Sequence, residues 1–420
     1  MEIKTKRIIY LCVGFVLLLL TGLIYAWSIF IVPLENEFGW VRAETAIIFT
    51  ITMGGFCLGG MINGFIIGKT SPRLTLCMAA VLFFVGFFFA SRTESLWQIF
   101  ISYGVFVGLG VGFVYNTIIS TIAKWFPDRR GFSSGICMMG FGLGGFILGA
   151  IASRMLEVTD WRIVFIAFAI AFPILVLVSS FIIRSPRQNE TEILPKPIPK
   201  KIKTSGVDSD SPETVSTPKE VKDVNTLGML KTPVFWIFFI WSTLMTGAGL
   251  IVIGHASPIA GSFFQSTFVI SIAVGIVTIF NGIARVFYGM LFDRFGVTKA
   301  IYTITINGIV ASLLMIGAVL TNSAALLVPA FILTGAFYGG TPITNSTFVM
   351  SQYGQKNFAA NFSVVNLCLL IAPTLGTYVA AVLYDSASSY LPGTGVMIGY
   401  AGASILLAFI ISRLIKRRNA

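Results

Sequence analysis

The stretch STFVISIAVGIVTIFNGIARVFYGMLFDRFGVTK (266–299) decides the fold. Up to Phe292 it holds one formal charge, Arg285, and it then runs into a polar turn with Asp293, Arg294 and Lys299. About 20 apolar residues rising 1.5 Å each cross the hydrocarbon core of a bilayer. The segment therefore reads as a membrane-spanning helix ending in a charged loop. A charge in mid-span costs at least about 2.5–3.5 kcal/mol on insertion scales, so Arg285 needs a physical reason to be there.

The rest of the chain agrees with a lipid solvent. Of its 420 residues 56% are hydrophobic and 11% charged, and the mean hydropathy is +0.88. Soluble domains average about 25% charged residues. The 42 glycines fit helices that approach closely in a membrane. A net charge of +12 in a soluble chain would point to nucleic acid. In a membrane protein the same excess marks the inner loops, so no nucleic-acid partner is expected. Cys12, Cys57, Cys77, Cys137 and Cys368 all fall in apolar runs and make neither a disulfide framework nor a zinc pattern, and no metal site is expected. The N-terminus, MEIKTKR before a long apolar run, reads as a retained first span.

Twelve spans are expected, near 8–33, 45–67, 73–91, 96–123, 132–153, 162–183, 232–256, 266–291, 299–320, 324–350, 358–383 and 396–414. Lys4, Lys6 and Arg7, then Lys69 and Arg73, Lys124, Arg129 and Arg130, Arg294, Lys356 and the tail Arg413, Lys416, Arg417 and Arg418 all fall on one side. The loops on the other side are acidic or neutral. The positive-inside rule places both termini in the cytoplasm, and the expected location is the plasma (inner) membrane. Residues 184–230, rich in Pro and mixed charge, read as a cytoplasmic linker between an N-terminal bundle (1–183) and a C-terminal one (231–420). The halves echo each other. GFIIGKTSPR (64–73) and GMLFDRFGVTK (289–299) stand 225 residues apart, and WFPDRRG (125–131) and QYGQKN (352–357) stand at nearly the same offset. Such duplication belongs to carriers in which two bundles rock about a central site.

These features resemble the major facilitator superfamily, whose loop signature is matched by Gly289, Asp293, Arg294, Gly296 and Lys299. The resemblance implies an all-α membrane protein of two six-helix bundles. It also implies a latch on the inner side, for which Gly289, Asp293, Arg294, Arg129 and Arg130 are the candidates. The first-half copy departs from the signature, because Gly68 stands where the acid usually is. YAWSIFIVPL, GLGVGFVYN, AKWFPDRRGFSSG and NGIAR are further similar to the oxalate/formate antiporter family and to the related monocarboxylate transporters.

Arg285 lies eight residues before Asp293, about 12 Å up the helix and close to the midplane, where such carriers hold substrate. A guanidinium forks onto a carboxylate with two parallel hydrogen bonds. No Asp or Glu occurs within the spans away from their ends, so an anionic ligand is the expected counter-ion. The alternative is Arg285 held by carbonyls and Asn or Tyr as helix glue. The resemblance adds two points. Asn281 stands where monocarboxylate transporters commonly carry an Asp, and Val365 stands where the antiporter family has a second cation. One cation favours a monocarboxylate over oxalate. Tyr115, Tyr338 and Tyr25 match tyrosine positions of that family, and each either reaches substrate or packs. Asn116 lies beside Tyr115. Phe141, Phe337 and Phe362 are candidate walls, while Asn361 and Asn366 either join the site or bond across helices. His255, the single histidine, is either a proton carrier or a solvated helix end.

The expectation is an alternating-access carrier of lactate- or pyruvate-like acids, proton-coupled, monomeric, lipid-embedded and without a cofactor. An oxalate/formate-type exchanger is the runner-up, and a non-transporting carboxylate sensor the rival of another class. No phosphate-cradling loop of the GxxxxGK[ST] type and no nucleophile–base pair points to ATP-driven transport or an enzyme.

Overall fold

The computed structural model describes residues 3–40, 42–195 and 223–419. Among them every regular element is helical, and twelve helices are long and apolar enough to cross a membrane. Spans one to six are Ile3–Ala26, Ile47–Ile66, Pro72–Ala90, Leu96–Trp125, Arg130–Leu156 and Trp161–Ile182. Spans seven to twelve are Pro233–Ile253, Ile272–Phe295, Val297–Thr321, Ala324–Tyr353, Phe358–Tyr384 and Leu391–Arg418. Their number and order match the sequence expectation, with both chain ends on one face, called here the termini face.

The boundaries differ most in span one. It starts at Ile3 because its basic first turn finds carboxylates: Lys6 reaches Glu190 at 2.7 Å, and Arg7 pairs with Asp128. It tightens to a 3₁₀ turn at Gly22–Ala26, and a further helix, Ser28–Phe38, carries Pro33 before Gly39 ends it at φ 69°. Span eleven is also broken. Its first helix stops at Val365, resumes at Cys368, and passes through a π-helical turn at Thr374–Tyr378 after Pro373.

Spans one to six pack on one another, as do seven to twelve. Where helices touch most closely the contact is a glycine against a carbonyl. A methyl on Gly108 would stand 2.6 Å from the Thr52 carbonyl oxygen, which joins spans four and two. Two seams join the halves on the termini face, span five against span eight and span two against span eleven. At the first, Gly131 and Gly289 meet backbone to backbone, and a methyl on Gly135 would stand 2.5 Å from the Arg285 carbonyl oxygen. Asp293 closes this seam: its two oxygens accept the N–H groups of Gly131 and Phe132, each at 2.9 Å. Those N–H groups open the helix of span five and have no intrahelical acceptor, so a carboxylate there is doubly favoured by charge. Arg130 faces Asp293 electrostatically. Arg129 and Arg294 are exposed, the latter over the Phe295 ring at 5.2 Å, so neither joins the closure.

The centre of the expected linker, 196–222, lies outside the described residues. Its flanks are docked helices. Gln188–Ile193 is held on the first half by Glu190, onto which Arg184 forks with two bonds of 2.7 Å while the Arg187 N–H donates at 2.9 Å. On the second half, Asp223 accepts from the Gln355 and Lys356 N–H groups, and the Val224 N–H donates to the Tyr353 carbonyl at 3.0 Å.

Arg184 above all, with the Arg187 N–H and Lys6, holds the Glu190 carboxyl well below the usual carboxylate range. A depressed folded pKa contributes stability above the unfolded value, about 4.3, that is lost as pH falls towards the folded one. Glu190→Gln is therefore expected to lower the unfolding temperature by a constant amount between pH 8 and 6, with the gap to wild type narrowing below about pH 4.5. A thermal unfolding series in pH checks this. At the seam, hydrogen bonds to a charged group are worth about 1.5–3 kcal/mol, and about 1.4 kcal/mol is tenfold in a population. Ser133, one turn into span five, is fully buried. A thiol placed there by Ser133→Cys is expected to react with maleimide about tenfold faster or more when Asp293→Ala is added, and an unchanged rate would count against the latch.

Candidate functional site

Arg285 sits on span eight two turns above Asp293 and is 1% exposed. Its Nη1 donates to the Met138 carbonyl of span five at 2.8 Å. Its Nε and Nη2 both reach Asn281 Oδ1 at 3.3 Å, one helical turn away. The guanidinium thus bridges the two halves. Among the described residues no carboxylate pairs with it. Asn281 is placed by glycine: its backbone carbonyl lies where Gly339 of span ten would carry a side chain, which brings spans eight and ten together at this level.

Around this charge stands a shell of rings. Arg285 lies 5.8 Å from the Phe141 ring, which meets Tyr25 at 5.2 Å and Tyr115 at 5.0 Å, both edge-on. Tyr115 in turn stacks on Phe362 with ring centroids 6.1 Å apart. Tyr25 and Tyr338 interact with each other and with Arg285. Six residues named from sequence therefore converge with Arg285: Asn281, Tyr25, Tyr115, Tyr338, Phe141 and Phe362. They come from spans one, four, five, eight, ten and eleven, three in each half. An edge-on pair sets the positive rim of one ring against the negative face of the other, and the Arg285 guanidinium lies over the Phe141 ring. The result is a compact apolar shell with one fixed positive charge and three phenolic hydroxyls that can donate or accept.

Three other residues named from sequence lie elsewhere. Asn116 donates to the carbonyls of Gly60 at 3.1 Å and Ala359 at 3.0 Å, tying span four to spans two and eleven. Phe337 is fully buried but makes none of the ring contacts that join the others. His255 closes the far end of span seven, with Nε2 3.0 Å from the Thr377 carbonyl and its ring 6.2 Å from Tyr390. Of the asparagines left open, Asn361 donates to the Val224 carbonyl at 2.9 Å and so anchors the linker end. Asn366 sits in the break of span eleven, within 3.5 Å of Asn345.

Sequence reasoning passed over Phe56, which meets Tyr115 at 5.3 Å and Phe141 at 5.7 Å. It also took Cys57 and Cys368 as fillers. Cys368 lies in a buried polar knot with Ser242 and Asn345, whose side chains are 2.7 Å apart, and it faces the tyrosines electrostatically. Cys57 reaches across from the first half to the Asn366 carbonyl at 3.8 Å. One Phe among 38 carries no signal of its own. The small polar residues of spans seven and ten would have been found only by asking what pairs with the Asn366 and Cys368 side chains where span eleven breaks.

Comparisons with known proteins agree with this architecture. Residues 11–377, and again 255–420, match the sequence model of the Major Facilitator Superfamily. The oxalate:formate antiporter of Oxalobacter formigenes is 27% identical over 416 residues, covering 97% of this chain and 92% of that protein. Monocarboxylate transporter 12 of Mus musculus is 24% identical over 411 residues, covering 93% and 82%. Among solved structures, the proton:xylose symporter XylE superimposes with a TM-score of 0.74 at 17% identity, over 98% of this chain and 96% of that one. The E. coli fucose:proton symporter FucP gives 0.68 at 12% identity, over 97% and 99%. At those identities the structures speak for the fold alone. Twelve spans in two halves, a charge held between them, and a family match over most of the chain lead to one conclusion: this protein is a transporter-type member of the Major Facilitator Superfamily.

Proposed function

We propose that the chain carries small monocarboxylates of the lactate and pyruvate kind across the plasma (inner) membrane by alternating access, as a monomer coupled to protons. Both termini lie in the cytoplasm in this reading, because the basic loops gather on the termini face. The observation that carries the proposal is Arg285, a buried guanidinium at the junction of the halves whose partners are all neutral. A carboxylate is the ligand that neutralises it, and the fork geometry suits two oxygens. Tyr25, Tyr115 and Tyr338 supply hydroxyls for a second oxygen or a 2-hydroxyl, and Phe141 and Phe362 supply apolar surface for a short carbon chain.

Val365, fully buried at the end of the first helix of span eleven, adds no second cation, which favours one carboxylate over two. With Asn281 beside Arg285, the cluster holds no carboxylate to take up a proton. In this reading the proton travels with the substrate. His255, distant from the cluster, would act only as a proton relay at the far face.

A second reading is anion exchange of the oxalate/formate type, favoured by the relatedness to an oxalate:formate antiporter over nearly the whole chain. Proteoliposome uptake of labelled lactate, pyruvate, formate and oxalate, with and without an inward proton gradient, separates the two. Gradient-driven lactate or pyruvate uptake is expected. Uptake of oxalate that requires preloaded formate or oxalate would replace symport by exchange, and no movement of any label would leave a sensor. Removing one partner of a buried hydrogen-bonded charge pair costs about 2–5 kcal/mol, so Arg285→Ala should weaken apparent affinity about 30-fold or more. Arg285→Lys should recover part of this, because it keeps the charge and loses the fork. Asn281→Asp, which builds a counter-ion into the site, should also lower affinity, and its residual uptake should rise with acidity as the new carboxyl is neutralised.

A further inference from the structure

The two seams on the termini face are related by the internal repeat, and they close differently. Gly64 and Gly68 of span two and its loop stand 225 residues before Gly289 and Asp293. Gly64 repeats the close approach of its counterpart: a methyl there would stand 2.7 Å from the Ala359 carbonyl oxygen of span eleven. Gly68 has no side chain where Asp293 has a carboxylate, and nothing lies within 4 Å of the Cβ it lacks. The N–H groups of Ala359 and Ala360, in the first turn of span eleven, meet no acceptor among the described residues, whereas those of Gly131 and Phe132 at the other seam meet Asp293.

In place of the carboxylate there is a cavity of about 420 Å³. Three lysines line it, Lys69 and Lys124 from the first half and Lys356 from the second, together with Asn225 and Asn357. Lys69 and Lys356 are exposed and Lys124 is half-buried. None of the three forms an ion pair among the described residues. No carboxylate lines the cavity; Asp223 lies nearby, with its Oδ1 committed to the N–H groups of Gln355 and Lys356. Three like charges gathered from both halves repel one another unless an anion sits among them.

We propose that this cavity binds a phosphate-bearing oxyanion, which supplies at the span two–span eleven seam the negative charge that Asp293 supplies at the other. A phosphate accepts from lysines as point charges and from helix-opening N–H groups, and it bridges the halves only while the termini face is closed. Its binding therefore favours the closed state. The chemistry is shared by soluble phosphate and by an anionic phospholipid headgroup, which the exposed ends of Lys69 and Lys356 would meet at the membrane surface.

The test uses the full chain in nanodiscs of neutral phosphatidylcholine and reads the apparent unfolding temperature. Inorganic phosphate is compared with chloride at equal ionic strength, and phosphatidate is added to the discs in a separate series. A rise of about 2 °C or more is expected with at least one of them, and it should vanish in K69Q/K124Q/K356Q. A rise with inorganic phosphate assigns a soluble anion, and a rise with phosphatidate alone assigns a lipid headgroup. Gly68→Asp should raise the temperature without either anion and abolish the response, by providing the carboxylate in cis. No rise with either anion, or an equal rise in the lysine variant, overturns the proposal. So does a Gly68→Asp protein that folds, gains nothing and still responds.

Discussion

A guanidinium with no carboxylate partner among the described residues, held where two helical bundles meet, is the constraint to which the rest of the structure answers. Arg285 is a delocalised guanidinium that cannot retreat to an interface two turns away without unwinding span eight. Its neutral partners, the Met138 carbonyl and Asn281, satisfy donors and leave the charge itself uncompensated. Around it stand a ring face at 5.8 Å and the Tyr25 and Tyr338 hydroxyls.

The same helix carries this charge and the acid that closes one seam. Arg285 and Asp293 are eight residues apart, about 12 Å along the axis. Gly135 packs on the Arg285 carbonyl and Gly131 on Gly289, so span five follows span eight along that whole distance. A small tilt of span eight at the centre is therefore transmitted to the closure as a change in backbone-to-backbone distance, with no soft side chain between to absorb it. The Met138 carbonyl, bonded to Arg285, lies on the same helix whose opening N–H groups Asp293 holds.

Much of this was legible in the sequence, because the membrane simplifies the code. Twelve apolar runs, one-sided Lys and Arg, and a 225-residue echo gave the architecture, since only helices satisfy their own backbone in lipid. Arg285 was visible as an exception to composition, and its eight-residue spacing from Asp293 gave its depth. What stayed hidden depends on rotation about helix axes. Phe141 and Phe337 look alike in sequence; one faces the cation and the other does not. Asn116, next to Tyr115, points more than a quarter of a turn away and ties helices together. The docked ends of the linker were missed because Glu190 and Asp223 act through partners far off in the chain, Lys6 in one case and Gln355 and Lys356 in the other. The break after Val365 had no Pro or Gly at the site to announce it.

The meeting of Gly131 with Gly289 has one more consequence. Where backbone touches backbone there is no width for a file of water molecules, and no side chain whose rotation would briefly make one. A proton or hydroxide cannot hop through such a contact. The span five–span eight seam is thus closed to water where these glycines meet, whereas the lysine-lined hollow of about 420 Å³ at the other seam is wide enough for it.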